Sequence, residues 1–330
     1  MEWNILGNEW AVEMLQTHIR NDQVRHAYLF CGPRGVGRRS LALRFAQALN
    51  CPQPPRPGEP CGTCRTCTLT ERMQHPDLSV LVAETEGGSI KIDPVRNLQH
   101  TLSLSPFEAR YRVALLLRFH EATPNAQNAL LKTLEEPAER VILLLTADSP
   151  ESVLPTIASR CEMLRLHRLP LEKLSAALET RWGIPAGEAD LLAHVSGGRP
   201  GVALRLHHNP DEMEQRHAWL DDLSRMLGST RRERFTYAAQ LTKDRDREKL
   251  LGVFQVWLSY WRDVMLVASG SSAPLTNQDR AEEVHRLGKT LDLPSATTRT
   301  QHMEQAIGNL GKNANMQLLT EVLLLDWPKI

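Results

Sequence analysis

Along the first half of the chain, short runs of consecutive apolar residues alternate with stretches whose apolar residues recur every third or fourth position. The runs are AYLFC (27–31), LSVLVA (78–83), RVALLL (112–117) and VILLLT (141–146). A strand with one face in water alternates polar and apolar residues; a run that is apolar throughout predicts a strand covered on both faces, as in a parallel sheet. SIKI (89–92) reads as a short extended piece, after which Asp93, with Pro94 at the first helical position, predicts a helix start. RSLALRFAQALN (39–50) follows the first run as a helix. Between the last two runs lies TPNAQNALLKTLEEP (123–137), where Thr123 before Pro124 predicts another helix start and Leu130, Leu131 and Leu134 share a face. Strands alternating with helices predict a doubly wound α/β domain over residues 1–166.

The pattern then changes. After residue 166 no strand-like run remains; residues 167–208 hold short helical segments and the turn SGGRPG (196–201), and from 209 the chain is helical throughout. Phe254, Leu258, Trp261 and Met265 repeat at helical spacing, and Leu318, Val322 and Leu325 do so again near the end. Both stripes are expected to be helix core. No internal repeat is evident, and the one low-complexity piece is PQPPRPGEP (52–60).

Length and charge narrow the picture. A chain of 330 residues suggests two or three domains. Lys+Arg and Asp+Glu each number 39, so no net positive charge drives the whole chain onto nucleic acid, although a local basic face stays open. The N-terminus lacks a basic and then apolar leader. The most apolar stretch, LLGVFQVWLSYWRDVMLV (250–267), is interrupted by Gln255, Arg262 and Asp263 and reads as a buried helix, not a membrane span. A soluble, cytoplasmic protein with no membrane partner is expected.

Four of the six cysteines crowd into residues 51–67. In a cytoplasmic protein that favours a metal over disulfides. Cys51, Cys61, Cys64 and Cys67 are spaced C-x9-C-x2-C-x2-C. Two-residue gaps let successive thiolates turn toward one ion, and four thiolates complete the tetrahedron of a structural Zn2+ site with no open catalytic position. The bland alternative is four unliganded cysteines. An iron–sulfur cluster is disfavoured, because the fourth cysteine followed by proline is missing downstream. Cys31 and Cys161 sit beside apolar runs and read as core thiols, and His26 reads as structural.

The first strand enters a glycine-rich loop, HAYLFCGPRGVGRRSLA (26–42), and the loop leads into a helix. That is the setting of a phosphate-binding loop, G-x-x-x-x-G-K-[ST]. Gly32 and Gly37 hold the two glycine places, with Gly35 between them, but Arg38 and Arg39 stand where Lys and Ser or Thr belong. Arg38 keeps the charge on a wider, forked group. Arg39 offers no oxygen for Mg²⁺, and Ser40 falls one place late. A magnesium-binding carboxylate should end a central strand. After Leu117 come Arg118 and Phe119, and the first carboxylate is Glu121. Two magnesium functions are damaged independently. The loop is expected to survive as architecture, with ATP not hydrolysed by this chain and any nucleotide occupancy of Gly32, Gly35, Gly37 and Arg38 weak.

These residues resemble a known family. HAYLFCGPRGVGRRS, the four-cysteine knuckle, NALLKTLEEP (128–137) and TIASRCEMLRL (156–166) stand in the order found in bacterial clamp loaders, in the delta-prime and gamma/tau subunits of DNA polymerase III. NANMQLLTEVLLLDW (313–327) is similar to the end of delta-prime chains. The likeness is specific over 26–166 and rests only on helical character over 209–312. The damaged loop and the end of the chain soon after the third region favour the delta-prime type. The resemblance implies an AAA+ α/β domain at 1–166 with a zinc module at 51–67, a small helical lid at 167–208, and an all-α collar for oligomerisation at 209–330. It implies an arginine finger, Arg160, flanked by Ser159 and Cys161, acting in trans at a neighbour's ATP site. It places the lid's sensor arginine where this chain has Gly201, with Arg199 two residues early. The implied partners are gamma/tau and delta subunits in a hetero-pentamer, with the sliding clamp and primed DNA reached through the complex. An ATP-hydrolysing gamma/tau-type subunit is the alternative. A stand-alone zinc protein that binds nucleic acid is weakened by the neutral charge balance and the lack of an aromatic-plus-basic stripe.

Overall fold

The computed structural model describes residues 3–84, 88–312 and 314–329. The chain forms two compact units, Met1–Pro170 with Gly198–Val202, and Leu171–Gly197 with Ala203–Ile330.

The first unit is α/β. In chain order it holds α1 (Glu9–Arg20), β1 (Ala27–Cys31), α2 (Arg38–Asn50), α3 (Arg65–Glu71), β2 (Leu78–Leu81), α4 (Ile92–Leu102), β3 (Arg112–Leu116), α5 (Pro124–Glu135), β4 (Val141–Ala147), α6 (Pro155–Ala158) and β5 (Glu162–Arg165). All strand pairs are parallel, in the order β2-β3-β4-β1-β5. The apolar runs became the strands because every residue of β1, β3 and β4 is buried. Alternation divides them between two cores. Ala27, Leu29 and Cys31 join Leu143 and Leu145 under Val95, Leu98, Ala126 and Leu130 of α4 and α5. Tyr28 and Phe30 join Ile142 and Leu144 under Leu15, Leu41 and Phe45 of α1 and α2.

Local details depart from expectation. The second run pairs only over Leu78–Leu81. The extended piece at 89–92 contributes one parallel bridge, Ile90 with Ala122. Its helix starts at Ile92 with Lys91 as N-cap, so Asp93 sits inside the first turn, where its charge meets the positive helix end. The start at Thr123 holds: its side chain accepts the Ala126 N–H at 3.3 Å. No apolar run in the sequence marks β5. It is an edge strand with one fully buried residue, Leu164, so its composition carries no continuous apolar run.

The second unit is helical: α7 (Leu171–Trp182), α8 (Ala186–Ser196), α9 (Pro200–His208), α10 (Pro210–Gly228), α11 (Arg231–Leu241), α12 (Arg247–Ala268), α13 (Ala281–Thr290), α14 (Leu293–Leu310) and α15 (Met316–Asp326), the first residues of α9 belonging to the first unit. The expected stripe on α12 is core, with Phe254 and Trp261 fully buried and Leu258 and Met265 packed against them. The stripe on α15 is not. Leu318, Val322 and Leu325 are 57, 59 and 38% exposed, while Leu323 and Leu324 face the core. The helix is apolar on two sides, and periodicity alone could not say which side is covered. Asn313, the first residue of the C-terminal motif, lies outside the described residues. Arg234 is buried and donates to five carbonyls, of Met226, Leu227, Leu324, Trp327 and Pro328, tying the end of α15 to α11.

Candidate functional site

The glycine-rich loop leaves the carboxyl end of β1, a central strand, and delivers Gly37 as the N-cap of α2. Gly32 has φ +149°, and a Cβ there would stand 2.5 Å from the Leu166 carbonyl oxygen. Gly35 has φ +85°, and a Cβ would strike Val202 at 2.6 Å. The segment Gly198–Val202 therefore lies directly on the loop, where the Gly201 N–H donates to the Gly35 carbonyl at 2.8 Å. Gly201, where the resemblance implies a sensor arginine, spends its backbone N–H on this loop contact.

Arg38 is 7% exposed. Its Nη1 lies 2.6 Å from Asp148 Oδ1. That nitrogen has no hydrogen bond of acceptable angle, so charge attraction holds it. His120 Nε2 lies 3.5 Å from the other Asp148 oxygen. Asp148 follows directly on β4, a different strand from the one whose end should carry the magnesium carboxylate, so no motif spacing marks it. The strand before Arg118 ends one residue earlier than its apolar run. β3 ends at Leu116, Arg118 adopts φ +50°, and its Nε donates to Glu121 at 3.0 Å within the tight turn Phe119–Glu121. The first carboxylate after β3 is thus engaged by its own neighbour. Arg39 and Ser40 are exposed. Beside the loop, Pro33, Arg34, Asp148, Leu166, His167 and Arg168 line a cleft of about 690 Å³.

Arg160 lies between α6 and β5. Its Nη2 donates to Glu135 Oε1 at 2.7 Å, and its Nη1 donates to the Thr156 carbonyl at 2.9 Å. The side chain is 35% exposed. Ser159 also donates to the Thr156 carbonyl, at 3.2 Å. Cys161 packs against the sheet core near Cys31. Burial pushes the Cys161 thiol up to about 12 and the Cys31 thiol up to about 11, which keeps both protonated.

The sulfur atoms of Cys51, Cys61, Cys64 and Cys67 lie within 4.8 Å of one another. Cys61 and Cys67 are 3.9 Å apart, near the ~3.8 Å edge of a tetrahedron with metal–sulfur bonds of about 2.3 Å. Backbone N–H groups of Cys61, Cys64 and Cys67 point at the sulfurs of Cys51, Cys61 and Cys64, at 3.4, 3.3 and 3.4 Å. N–H donation to sulfur favours the thiolate, and donation from Cys64 and Thr63 pulls the Cys61 thiol down to about 6. Cys64 caps α3, and Gln47 Nε2 donates to the Cys67 carbonyl at 2.7 Å, fixing the knuckle to α2. The donor set fits a tetrahedral metal ion.

The five-stranded parallel sheet, a loop that ends on a helix and the cysteine knuckle after that helix define the class as α/β of the phosphate-loop type with an inserted cysteine module. A family model described as DNA polymerase III, delta subunit, matches residues 7–170, and one described as that subunit's C-terminal region matches 210–329. The chain belongs to this DNA polymerase III delta family. It is similar to the DNA polymerase III subunit delta-prime of Bacillus subtilis, 29% identical over 96% of this chain and 94% of that one. The delta-prime subunit of Pseudomonas aeruginosa is 37% identical over 62% of each chain. The tau subunit of Escherichia coli is 35% identical over 53% of this chain but only 27% of its own length. Among solved structures, a gamma subunit-related protein of Thermotoga maritima aligns over 96% of this chain and 97% of its own, with 17% identity and a TM-score of 0.44. Among the described residues no helix is long and apolar enough to cross a membrane.

Proposed function

We propose that this chain is a delta-prime-type subunit of a bacterial clamp loader. It helps place the sliding clamp on primed DNA in the cytoplasm, hydrolyses little or no ATP itself, and lends Arg160 to a neighbouring ATP site. One observation carries this reading: Arg38, at the place of the phosphate-binding lysine, is buried against Asp148. A charge already met by a carboxylate is not free for phosphates, and the loop's magnesium oxygen is missing. Arg160 is spared any such use in its own site, because that site lacks the parts a finger would complete. In phosphoryl transfer, charge spreads over the transferred oxygens, and a guanidinium placed there from an adjacent subunit stabilises it. The delta-prime relatives, matched over most or much of their length, support the same assignment.

The division into an AAA+ domain at 1–166, a lid at 167–208 and a collar at 209–330 belongs to this proposal, as does Zn2+ in the cysteine site, where it would be held by Cys51, Cys61, Cys64 and Cys67. The metal would lock the knuckle and carry no chemistry. Gamma/tau and delta subunits are the proposed partners in a hetero-pentamer. An ATP-hydrolysing gamma/tau-type role is the second reading, favoured by the gamma/tau relatives, of which the chain spans about a third. ATP turnover by the purified chain, alone and with partner subunits, separates the two. The proposal expects no turnover alone and restored clamp loading when the chain is added to delta and gamma/tau. Turnover by the chain alone would favour the second reading.

A further inference from the structure

Glu135 closes α5, with Glu136 as C-cap and Pro137 beyond it. The carboxyl end of a helix carries partial negative charge, so two glutamates there work against the helix. Helix stability does not account for Glu135. Its partner does: Oε1 receives the Arg160 Nη2 at 2.7 Å. The other terminal nitrogen of Arg160 is fixed from a second direction by the Thr156 carbonyl at 2.9 Å, one of the carbonyls that a helix as short as α6 leaves unpaired. Two anchors on different elements hold the guanidinium plane, a stronger constraint than either bond alone. Among the described residues two of the five N–H donors of Arg160 are engaged, and the side chain is partly open to solvent.

We propose that Glu135 is a positioning residue for Arg160: it sets the plane of the guanidinium in advance so that its unused N–H groups meet the neighbouring subunit's nucleotide. This rests on the reading of Arg160 as a finger in trans. A long flexible side chain must otherwise be ordered at each turnover, and a small misplacement of a charge-stabilising group is costly to the chemical step. Being half exposed, the pair contributes little to folding, which separates positioning from mere structural support.

The test uses a reconstituted loader whose single competent ATP site adjoins this chain, compared by single-turnover hydrolysis and by nucleotide titration. Glu135→Ala is expected to lower the hydrolysis rate about tenfold, well short of the roughly 10²-fold that a displacement on the order of 1 Å can cost, with nucleotide affinity unchanged. Glu135→Gln keeps an oxygen acceptor and is expected to recover most of the rate. In an Arg160→Ala background, Glu135→Ala should add nothing. If Arg160→Ala slows the site while Glu135→Ala leaves it at the wild-type rate, the positioning inference fails and the finger reading stands. If Arg160→Ala itself has no effect, both fall. A rate loss in Glu135→Ala that persists in the Arg160→Ala background would assign Glu135 a role independent of the arginine and overturn the inference.

Discussion

Two arginines of the α/β unit meet carboxylates at nearly the same distance in opposite surroundings. Arg38 Nη1 lies 2.6 Å from Asp148, and Arg160 Nη2 lies 2.7 Å from Glu135. Arg38 is enclosed, with the Gly198–Val202 segment laid over its loop. Arg160 stands partly in solvent, with its guanidinium edge anchored and donors unused. An ion pair therefore does not define a role. In the proposed reading the first pair closes the phosphate loop of its own chain, and the second holds a group to be used at a neighbour's site. Under that proposal the substituted phosphate loop and Arg160 belong together: a site without chemistry of its own would still serve another.

The largest effect that tests this contrast belongs to Arg160. Arg160→Ala is expected to assemble normally and to slow ATP turnover at the adjacent site by at least tenfold, below the roughly 10³–10⁵ that such fingers contribute in the best-studied GTPases. Single-turnover hydrolysis in the loader with one competent site is the measurement. Arg160→Lys should rescue poorly, because an ammonium lacks the planar fork. An unchanged rate in the alanine variant would erase the distinction between the two arginines.

Metal removal comes next, and it asks whether the frame that presents both arginines depends on the knuckle. Zinc in small fingers stabilises folding by about 10–16 kcal/mol at neutral pH; in a domain with two apolar cores of its own the dependence is smaller. The purified chain should carry one zinc per molecule. Cys64→Ser or chelation should release it and lower the melting temperature of the α/β unit by more than any single arginine substitution. Metal-free protein of equal stability would refute the zinc assignment and leave four thiols held only by backbone N–H groups.

Much of this contrast could be read from the chain, and the parts that could not have physical causes. Gly32, Gly37, Arg38 and Arg39 stand out because the loop's chemistry ties residue type to fixed spacing, and the cysteines stand out for the same reason. Continuous apolar runs found β1, β3 and β4, since burial on both faces favours apolar residues, Arg112 and Thr146 being the buried polar exceptions. β5 escaped because an edge strand is covered on one side only. The outward stripe of Leu318, Val322 and Leu325 reads as core from the sequence because periodicity reports a face, not what covers it. Asp148 and Glu135 were invisible as partners. Each is an ordinary acidic residue until the fold brings an arginine to it across 110 positions in one case and 25 in the other.

A third expectation concerns the enclosed arginine in the assembled loader. Arg38→Ala should leave clamp loading and total ATPase close to wild type, because nothing at this loop is turned over. Loading measured with the variant subunit properly incorporated is the check, and a loss comparable to that of Arg160→Ala would mean that both arginines serve active chemistry.

The smallest effect should come from Asp148→Asn, and it bears most directly on what the seal is. The substitution keeps shape and removes one charge, leaving the Arg38 cation buried with a neutral neighbour. Breaking a fully buried ion pair costs about 3–5 kcal/mol, but Asp148 is half exposed and water reaches the pair, so a cost nearer ~1 kcal/mol is expected. That corresponds to a fall of roughly 2–4 °C in the melting temperature of a domain this size. The informative arm is the dependence on inorganic phosphate. If the carboxylate stands in for a phosphate, the freed guanidinium and the N-terminus of α2 should accept an anion, and phosphate should return part of the lost stability to Asp148→Asn while leaving wild type unmoved. Equal stabilisation of both proteins by phosphate would show that the anion binds elsewhere. No response in the variant would show that the Gly201–Gly35 hydrogen bond and Val202 close the loop on their own. In either event Asp148 would be a surface partner of Arg38 and not its seal.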